Sequence, residues 1–411
     1  MKPRIAPAGN FPARESLSKA LRAAKQIDPS PDGTPQSALL RSIADCFDGR
    51  EVVLTSSATE ALFLVFSELK RSEGRNRIFL SAYNCPELVT AAVNAGLAVH
   101  LLDTHEKTLE PDLRPLQQER DLSDAVLVLT NLYGIPNSGA LPESLLHSQN
   151  LRIVDDGAQL FGGRRGENIQ LLDRSLHFSV LSFGRGKGIC GVGGGAIVFP
   201  RNISAEQSRL DQKAGPARSE FKDRVRYALA RLFEHPSRYA FPSSMPFLNI
   251  GDTVFHPELQ RGQLSQFQAL VALARFQEEA AAASTFVRNA RLWHEIMRTV
   301  GRGVLEQPFA NREFGFGGDV VPIRYPLILS RALDDQTVSA IRAGLFASRL
   351  GMSGSYPGTL ADLCPGAVTV RDSLEGAASI ANRIVTLPVH AYVSEDTIRE
   401  GAELMERLLS I

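Results

Sequence analysis

Lys187 stands in the stretch Ser182-Phe-Gly-Arg-Gly-Lys187-Gly-Ile-Cys-Gly-Val-Gly-Gly-Gly195, directly after a strand pattern. Glycine lets a backbone approach a bound molecule closely and adopt unusual dihedrals, so an amine in such a loop is a candidate nucleophile toward a carbonyl. Gly186, Gly188 and Gly191 also satisfy G-x-G-x-x-G, but that fingerprint requires a helix next, and Gly-Gly-Ala-Ile-Val-Phe reads as a strand. A Walker A loop fails because Gly188, not Ser or Thr, follows Lys187. The plain alternative is an exposed lysine in a surface loop.

Two other segments bear on that choice. Ile153-Val-Asp-Asp156-Gly-Ala-Gln159 puts carboxylates at the end of a strand pattern, where one of them can face a ligand. Ser56-Ser-Ala-Thr59-Glu-Ala-Leu62 reads as strand, small polar turn and helix start, which offers backbone N–H groups and a positive helix end to an anion such as phosphate. Ser57 or Thr59 can equally be a simple helix cap. A nucleophilic lysine, a carboxylate able to face a pyridinium nitrogen and a phosphate cradle on one sheet are what a pyridoxal phosphate site requires.

The elements that must position these residues alternate in the manner of βα units, which predicts an α/β fold with a largely parallel sheet. Strand patterns cover Glu51–Thr55, Arg77–Ser81, Leu97–Asp103, Asp124–Thr130, Leu151–Asp155, Leu176–Ser182 and Gly195–Phe199, with helical patterns at Thr59–Lys70 and Pro86–Asn94. The Pro- and Ser-rich run HPSRYAFPSSMPFLNIGD reads as a boundary loop. We therefore expect an N-terminal arm (1–35), a large α/β domain (36–250) and a smaller α+β domain (251–411). In the last of these, Gln263–Thr299 reads as one long helix or two, Val320–Leu329 as a strand, and Gln336–Ser348, Glu375–Ile384 and Ser394–Leu409 as helices.

Composition narrows the function classes. With 45 Lys plus Arg against 45 Asp plus Glu in 411 residues, no global field gathers nucleic acid or anionic lipid. Apolar runs such as Ala61–Phe66 fall far short of the ~20 residues that span a bilayer. The N-terminal stretch is broken by prolines and lacks a signal-peptide core, so a cytoplasmic protein is expected. Cys46, Cys85, Cys190 and Cys364 form no CxxC pair and predict neither a zinc site nor a disulfide framework.

From about Asp48 to the C-terminus the chain resembles the DegT/DnrJ/StrS aminotransferases, a sugar-aminotransferase branch of the fold-type I pyridoxal phosphate enzymes. Ser57-Ala-Thr59-Glu-Ala-Leu62 is similar to the family's SGTxAL turn, Ser81-Ala-Tyr83-Asn-Cys85-Pro86 to its PAYTF/PAYTC loop, Leu132-Tyr133-Gly134 with Pro136 to LYGxP, and Asp156-Gly-Ala-Gln159 to DAAQ. Ser182-Phe183 followed by Lys187 is similar to SFxxxK, and Val385-Thr-Leu-Pro-Val-His390 to the closing LPLH segment.

The resemblance implies a seven-stranded, mostly parallel sheet and pyridoxal 5′-phosphate as cofactor. It implies Lys187 as the Schiff-base lysine, Asp156 on the ring nitrogen and Gln159 near the phenolic oxygen. Ser57, Ala58, Thr59 and Ser182 would hold the phosphate, with Tyr83 and Cys85 beside the ring and Asn131 and Tyr133 toward substrate. It further implies a homodimer that moves an amino group from glutamate or glutamine to a nucleotide-linked keto-deoxysugar. The family's dehydratase members carry His where this chain has Lys187.

Four positions depart from the family pattern: Ala58 replaces the turn glycine, Cys85 the stacking aromatic and Asn131 a His, and Arg261-Gly-Gln263 replaces an Asn-Tyr-Arg loop that reaches the neighbouring subunit's phosphate. Arg261 can still neutralise a phosphate there. Tyr227 and Tyr239 have no counterpart and mark where a different acceptor would fit. A non-sugar acceptor, or a binding protein that retains the fold without turnover, are the alternative readings.

Overall fold

A computed structural model describes residues 3–7, 11–27, 33–136, 141–146, 150–160, 177–204, 219–244, 253–300, 303–309, 314 and 320–410. All seven expected strands form: β1 (Val52–Thr55), β2 (Arg77–Ser81), β3 (Ala98–Leu102), β4 (Ala125–Thr130), β5 (Arg152–Asp156), β6 (Phe178–Ser182) and β7 (Gly195–Val198). Two further strands, β8 (Leu305–Glu306) and β9 (Tyr325–Leu329), precede β10 (Thr369–Val370) and β11 (Ile384–Leu387).

The large sheet runs β1-β7-β6-β5-β4-β2-β3-β10, parallel throughout except for β7, which is antiparallel to both neighbours. Its eighth strand, β10, joins the β3 edge from far along the chain. β4, AVLVLT, is buried at every position, as a strand covered on both faces must be. β11, β9 and β8 make a separate antiparallel sheet, and Val320–Leu329 is strand only from Tyr325.

Helices pack on both faces of the large sheet. In chain order they are α1 (Arg14–Ile27), α2 (Pro35–Cys46), α3 (Ala58–Glu73), α4 (Glu87–Asn94), α5 (Arg114–Gln118), α6 (Glu143–Leu146), α7 (Glu220–Phe233) and α8 (Pro236–Ser243). They continue as α9 (Gln266–Gln277), α10 (Glu279–Val300), α11 (Asp335–Ala347), α12 (Leu360–Leu363), α13 (Glu375–Arg383) and α14 (Glu395–Leu409). The stretch Gln263–Thr299 thus resolves into two helices, interrupted at Glu278.

α1 lies where the sequence suggested only an arm, and α8 where it suggested a loop. The rest of that loop and the expected junction at Gly251 lie outside the described residues. α3, whose start matters most for the site, is bounded by Ser57, whose hydroxyl accepts from the Glu60 N–H at 3.1 Å, and by Gly74 in the left-handed region at φ 68°.

Candidate active site

Three strand ends and one helix start converge. Asp156 closes β5, Ser182 closes β6, and Thr130 closes β4, all at the C-terminal edge where open α/β sheets bind ligands. Ser182 pairs with Gly195 across the β6–β7 ladder, and Gly194 bridges to Ser57 at the start of α3. Gly195 has no room for a side chain: a Cβ there would lie 2.7 Å from the Ala58 nitrogen and 2.8 Å from the Ser57 carbonyl carbon. The amino end of α3 is thereby drawn against the β6–β7 strand ends. At Gly184 a Cβ would sit 3.4 Å from Ser182 Oγ and 3.8 Å from Lys187 Cγ, so the glycine leaves these two side chains facing one gap.

Asp156 is buried. Burial pushes its carboxyl up, opposed by the Ala158 N–H, which donates to Oδ1 at 3.0 Å, and by the positive charge of Lys187. A carboxylate so placed is held ionised by cationic and N–H partners rather than by water. Asn131 secures the strand beneath it. Its Nδ2 donates to Asp155 Oδ1 at 2.9 Å and to the Asp156 carbonyl at 2.7 Å. Asn131 is buried and serves the carboxylate's backbone, outside the cavity wall.

A cavity of about 420 Å³ opens beside Lys187. Tyr133 and Gln159 line it, as do Arg4, Arg185, Tyr239, Arg324, Ser353, Ser355 and Tyr356. The Tyr133 N–H donates to Gln159 Oε1 at 2.8 Å, and Gln159 Nε2 donates to the Tyr356 hydroxyl at 3.0 Å. Tyr83 lies behind them, its hydroxyl 3.2 Å from that of Tyr133 and accepting from the Tyr356 N–H at 3.3 Å. Burial drives the phenols of Tyr133 and Tyr356 well above their ordinary range, so both stay neutral and can donate.

Tyr133 adopts φ 58°, a cost that side chains accept mainly where the surroundings fix them. The following Gly134 has φ 89°, and a Cβ on it would meet the Val321 carbonyl oxygen at 2.3 Å. This turn presses the Tyr133 loop against the segment that carries Arg324, and the Ile323 N–H donates to the Tyr133 carbonyl at 3.1 Å.

The other expected residues fall as follows. Cys85 is half-buried next to the site, its thiol pushed up by burial while the Lys187 charge opposes this. Thr59 Oγ1 donates to Glu87 Oε2 at 2.7 Å, tying α3 to α4. Arg261 meets its own chain's α3, with Nε 3.4 Å from Glu60 Oε1 and the guanidinium over the Phe63 ring. Of the two tyrosines without family counterparts, Tyr239 lines the cavity, whereas Tyr227 donates to the Pro12 carbonyl at 2.7 Å and packs on Phe11 and Phe267.

Sequence reasoning passed over Arg324, Ser353, Ser355 and Tyr356. The only signal was a lone arginine inside an otherwise apolar strand pattern, Val-Pro-Ile-Arg324-Tyr-Pro-Leu. Among the described residues, no group of three or more His, Cys, Asp or Glu could hold a metal ion.

The sequence model of the DegT/DnrJ/EryC1/StrS aminotransferase family matches residues 13–406, which extends the likeness back from Asp48 into α1. A search of curated proteins finds no match. Solved structures with the same fold include the sugar aminotransferase CalS13 from Micromonospora echinospora (17% identity, TM-score 0.71, 98% of this chain and 99% of that one). Helicobacter pylori PseC, an aminotransferase involved in the biosynthesis of pseudoaminic acid, aligns over 99% of each chain (15% identity, TM-score 0.71). The E. coli GDP-4-keto-6-deoxy-D-mannose-3-dehydratase with bound hydrated PLP aligns over 97% of this chain and 100% of its own (14% identity, TM-score 0.67).

Proposed function

The chain belongs to the DegT/DnrJ/EryC1/StrS aminotransferase family, and from that premise we propose that it transfers an amino group from glutamate or glutamine to the keto group of a nucleotide-linked keto-deoxysugar. Membership makes it a pyridoxal 5′-phosphate-dependent aminotransferase. The observation that carries the reading is the buried Asp156 at the end of β5, close enough to Lys187 to feel its charge, with the amino end of α3 against the neighbouring strand ends.

The residues present fit this cofactor. Asp156 offers a buried carboxylate for a protonated ring nitrogen, and Gly195, too close to Ser57 and Ala58 to carry a Cβ, brings the start of α3 against the strand ends. Ser57, the N–H groups at the start of α3, and Ser182 would hold the phosphate, with Tyr83, Cys85 and Gln159 around the ring. When bound, the cofactor supplies an electron-accepting ring for the pair left when a Cα proton departs. Asp156 would hold a fixed negative charge toward the ring nitrogen. Lys187 Nζ would take the Cα proton and return it on the far side of the transferred nitrogen, a base and then an acid in the same place. Gln159 and Tyr356 fix the neutral donors of the wall, and the cavity's arginines attract an anionic substrate.

Lys187 favours amino transfer over the dehydratase chemistry of the E. coli neighbour's kind, because family dehydratases carry His at this place. The reading extends to a homodimer in the cytoplasm. Phe221, Val225 and Leu229 are exposed at four-residue spacing on α7 with Leu232 nearby, an apolar stripe that a second copy would cover. No helix among the described residues is long and apolar enough to cross a membrane.

The test is a visible spectrum of the purified protein with pyridoxal phosphate, before and after borohydride, followed by peptide mapping. A reduced label on Lys187, together with loss of the visible band on adding glutamate, is the expected result. A protein that takes up no cofactor, or a label on another lysine, sinks the reading.

A further inference from the structure

Among the described residues, the cavity wall holds four cations, Arg4, Arg185, Lys187 and Arg324, and no carboxylate. Arg185 is exposed; Arg324 is half-buried in the wall that Tyr133 and Tyr356 share. Its Nη1 donates to Ser353 Oγ at 3.2 Å and to Thr386 Oγ1 at 3.3 Å, which fixes the plane of the guanidinium. Among the described residues no acidic side chain pairs with it, and burial makes its charge costly. The Nε–Nη2 edge has no partner among the described residues, and that edge is the fork whose spacing matches the two oxygens of a carboxylate.

We propose that Arg324 is the specificity residue that receives the carboxylate of the amino donor, and of the 2-oxo acid it becomes, with Ser353 and Thr386 as positioning residues. The assignment rests on the transaminase reading for its substrate class. It does not depend on turnover for its test. A nucleotide's pyrophosphate spreads charge over several oxygens and calls for several cations, which the exposed Arg185 serves better than a single fork held inside the wall. A neutral amine lacking a carboxylate would leave the Arg324 charge uncompensated, so the site selects amino acids over simple amines.

The test uses the full chain loaded with pyridoxal phosphate, as wild type, Arg324→Gln and Arg324→Lys, with cofactor content read from the visible spectrum. Calorimetry measures binding of glutarate, an unreactive dicarboxylate, and separately of inorganic pyrophosphate. We expect Arg324→Gln to weaken glutarate about tenfold to a hundredfold, the loss of a charge-assisted pair. Pyrophosphate binding and the cofactor band should stay within twofold, and Arg324→Lys should fall between because a point charge cannot fork.

In the half-reaction, KM for glutamate should rise in Arg324→Gln while the rate with benzylamine, which no longer meets an uncompensated charge, does not fall. Glutarate that binds equally well to all three proteins, or not at all to wild type, overturns the proposal. An equal loss of pyrophosphate overturns it in favour of phosphate recognition, and release of the cofactor overturns it in favour of a cofactor role. Glutarate binding that depends on Arg324, in a protein that transfers no amino group, would uphold this assignment while the transaminase reading falls.

Discussion

Asp156 is where charge, burial and backbone meet most tightly. Its carboxyl is pushed up by burial, and the Ala158 N–H and the Lys187 charge are what favour the ionised form. Asp156→Asn keeps the shape and removes the charge, so a cofactor ring would lose the group that keeps its nitrogen protonated. Turnover should fall about 10²- to 10³-fold, in line with deleting one preorganised electrostatic partner. Cofactor content should fall less; steady-state kinetics beside the visible spectrum separate the two, and undiminished turnover would remove Asp156 from its role. The sequence marked this residue because a carboxylate at a strand's end followed by Gly-Ala-Gln is a local pattern. Arg324 left only a lone cation in an apolar strand pattern, since its meaning lies in Ser353 and Thr386, contributed by two distant stretches of chain. Asn131 was placed toward substrate from its position before Leu-Tyr-Gly, whereas its amide reaches back under β5, a direction that spacing cannot convey.

The start of α3 shows the same logic in an element. Its amino end is aimed by β7, where Gly195 packs directly on Ser57 and Ala58. In Gly195→Ala the new methyl would press on the Ala58 nitrogen at 2.7 Å and the Leu181 carbonyl oxygen at 2.9 Å, both backbone atoms that cannot swing away. Overpacking of this kind costs about 1–3 kcal/mol. The variant should melt several degrees lower and release pyridoxal phosphate more readily; a thermal melt and a cofactor titration check it, and unchanged cofactor affinity would show that α3's placement does not matter to binding. Ser57→Ala tests the cap itself. Losing the Oγ acceptor for the Glu60 N–H should cost about 1 kcal/mol of stability. The central strands were legible because fully buried parallel strands read as apolar runs. α8 was not, because Pro236 and Pro242 inside PSRYAFPS signal a break; Pro236 sits in the first turn, where a missing N–H costs nothing. β10 is too short for any periodicity and forms only because β3 offers an open edge.

Across the whole molecule, the N-terminal segment straps parts of the chain that are far apart in sequence. The Arg4 N–H donates to Pro236, the Ile5 N–H to Arg349, and the Phe11 N–H to Glu234 Oε2 at 3.0 Å, while Arg4 and Pro7 also line the cavity. His390, at the end of the β11 segment, fastens this strap. Its Nε2 lies 2.8 Å from the Ala6 carbonyl oxygen, and its Nδ1 is 3.3 Å from the Tyr392 N–H. Only the neutral ring with the proton on Nε2 satisfies both, and with burial first and the Arg324 charge adding to it, the pKa is pushed down to about 4. Below pH 6.5 the unfolded chain therefore takes up a proton that the folded chain refuses. Stability drains as pH falls from about 6.5 to about 4 and then levels, a loss of about 3 kcal/mol from this one ring. Urea unfolding at pH 7.5 and at pH 4.5 should show wild type losing more than His390→Asn, which is weaker at neutral pH but carries no such proton. Parallel pH dependence in the two proteins would mean that the strap is held elsewhere. Because the same strap carries Arg4 into the cavity wall, acid loosening should also raise KM for an anionic substrate before it unfolds the protein, and His390→Asn should show that raised KM already at pH 7.5.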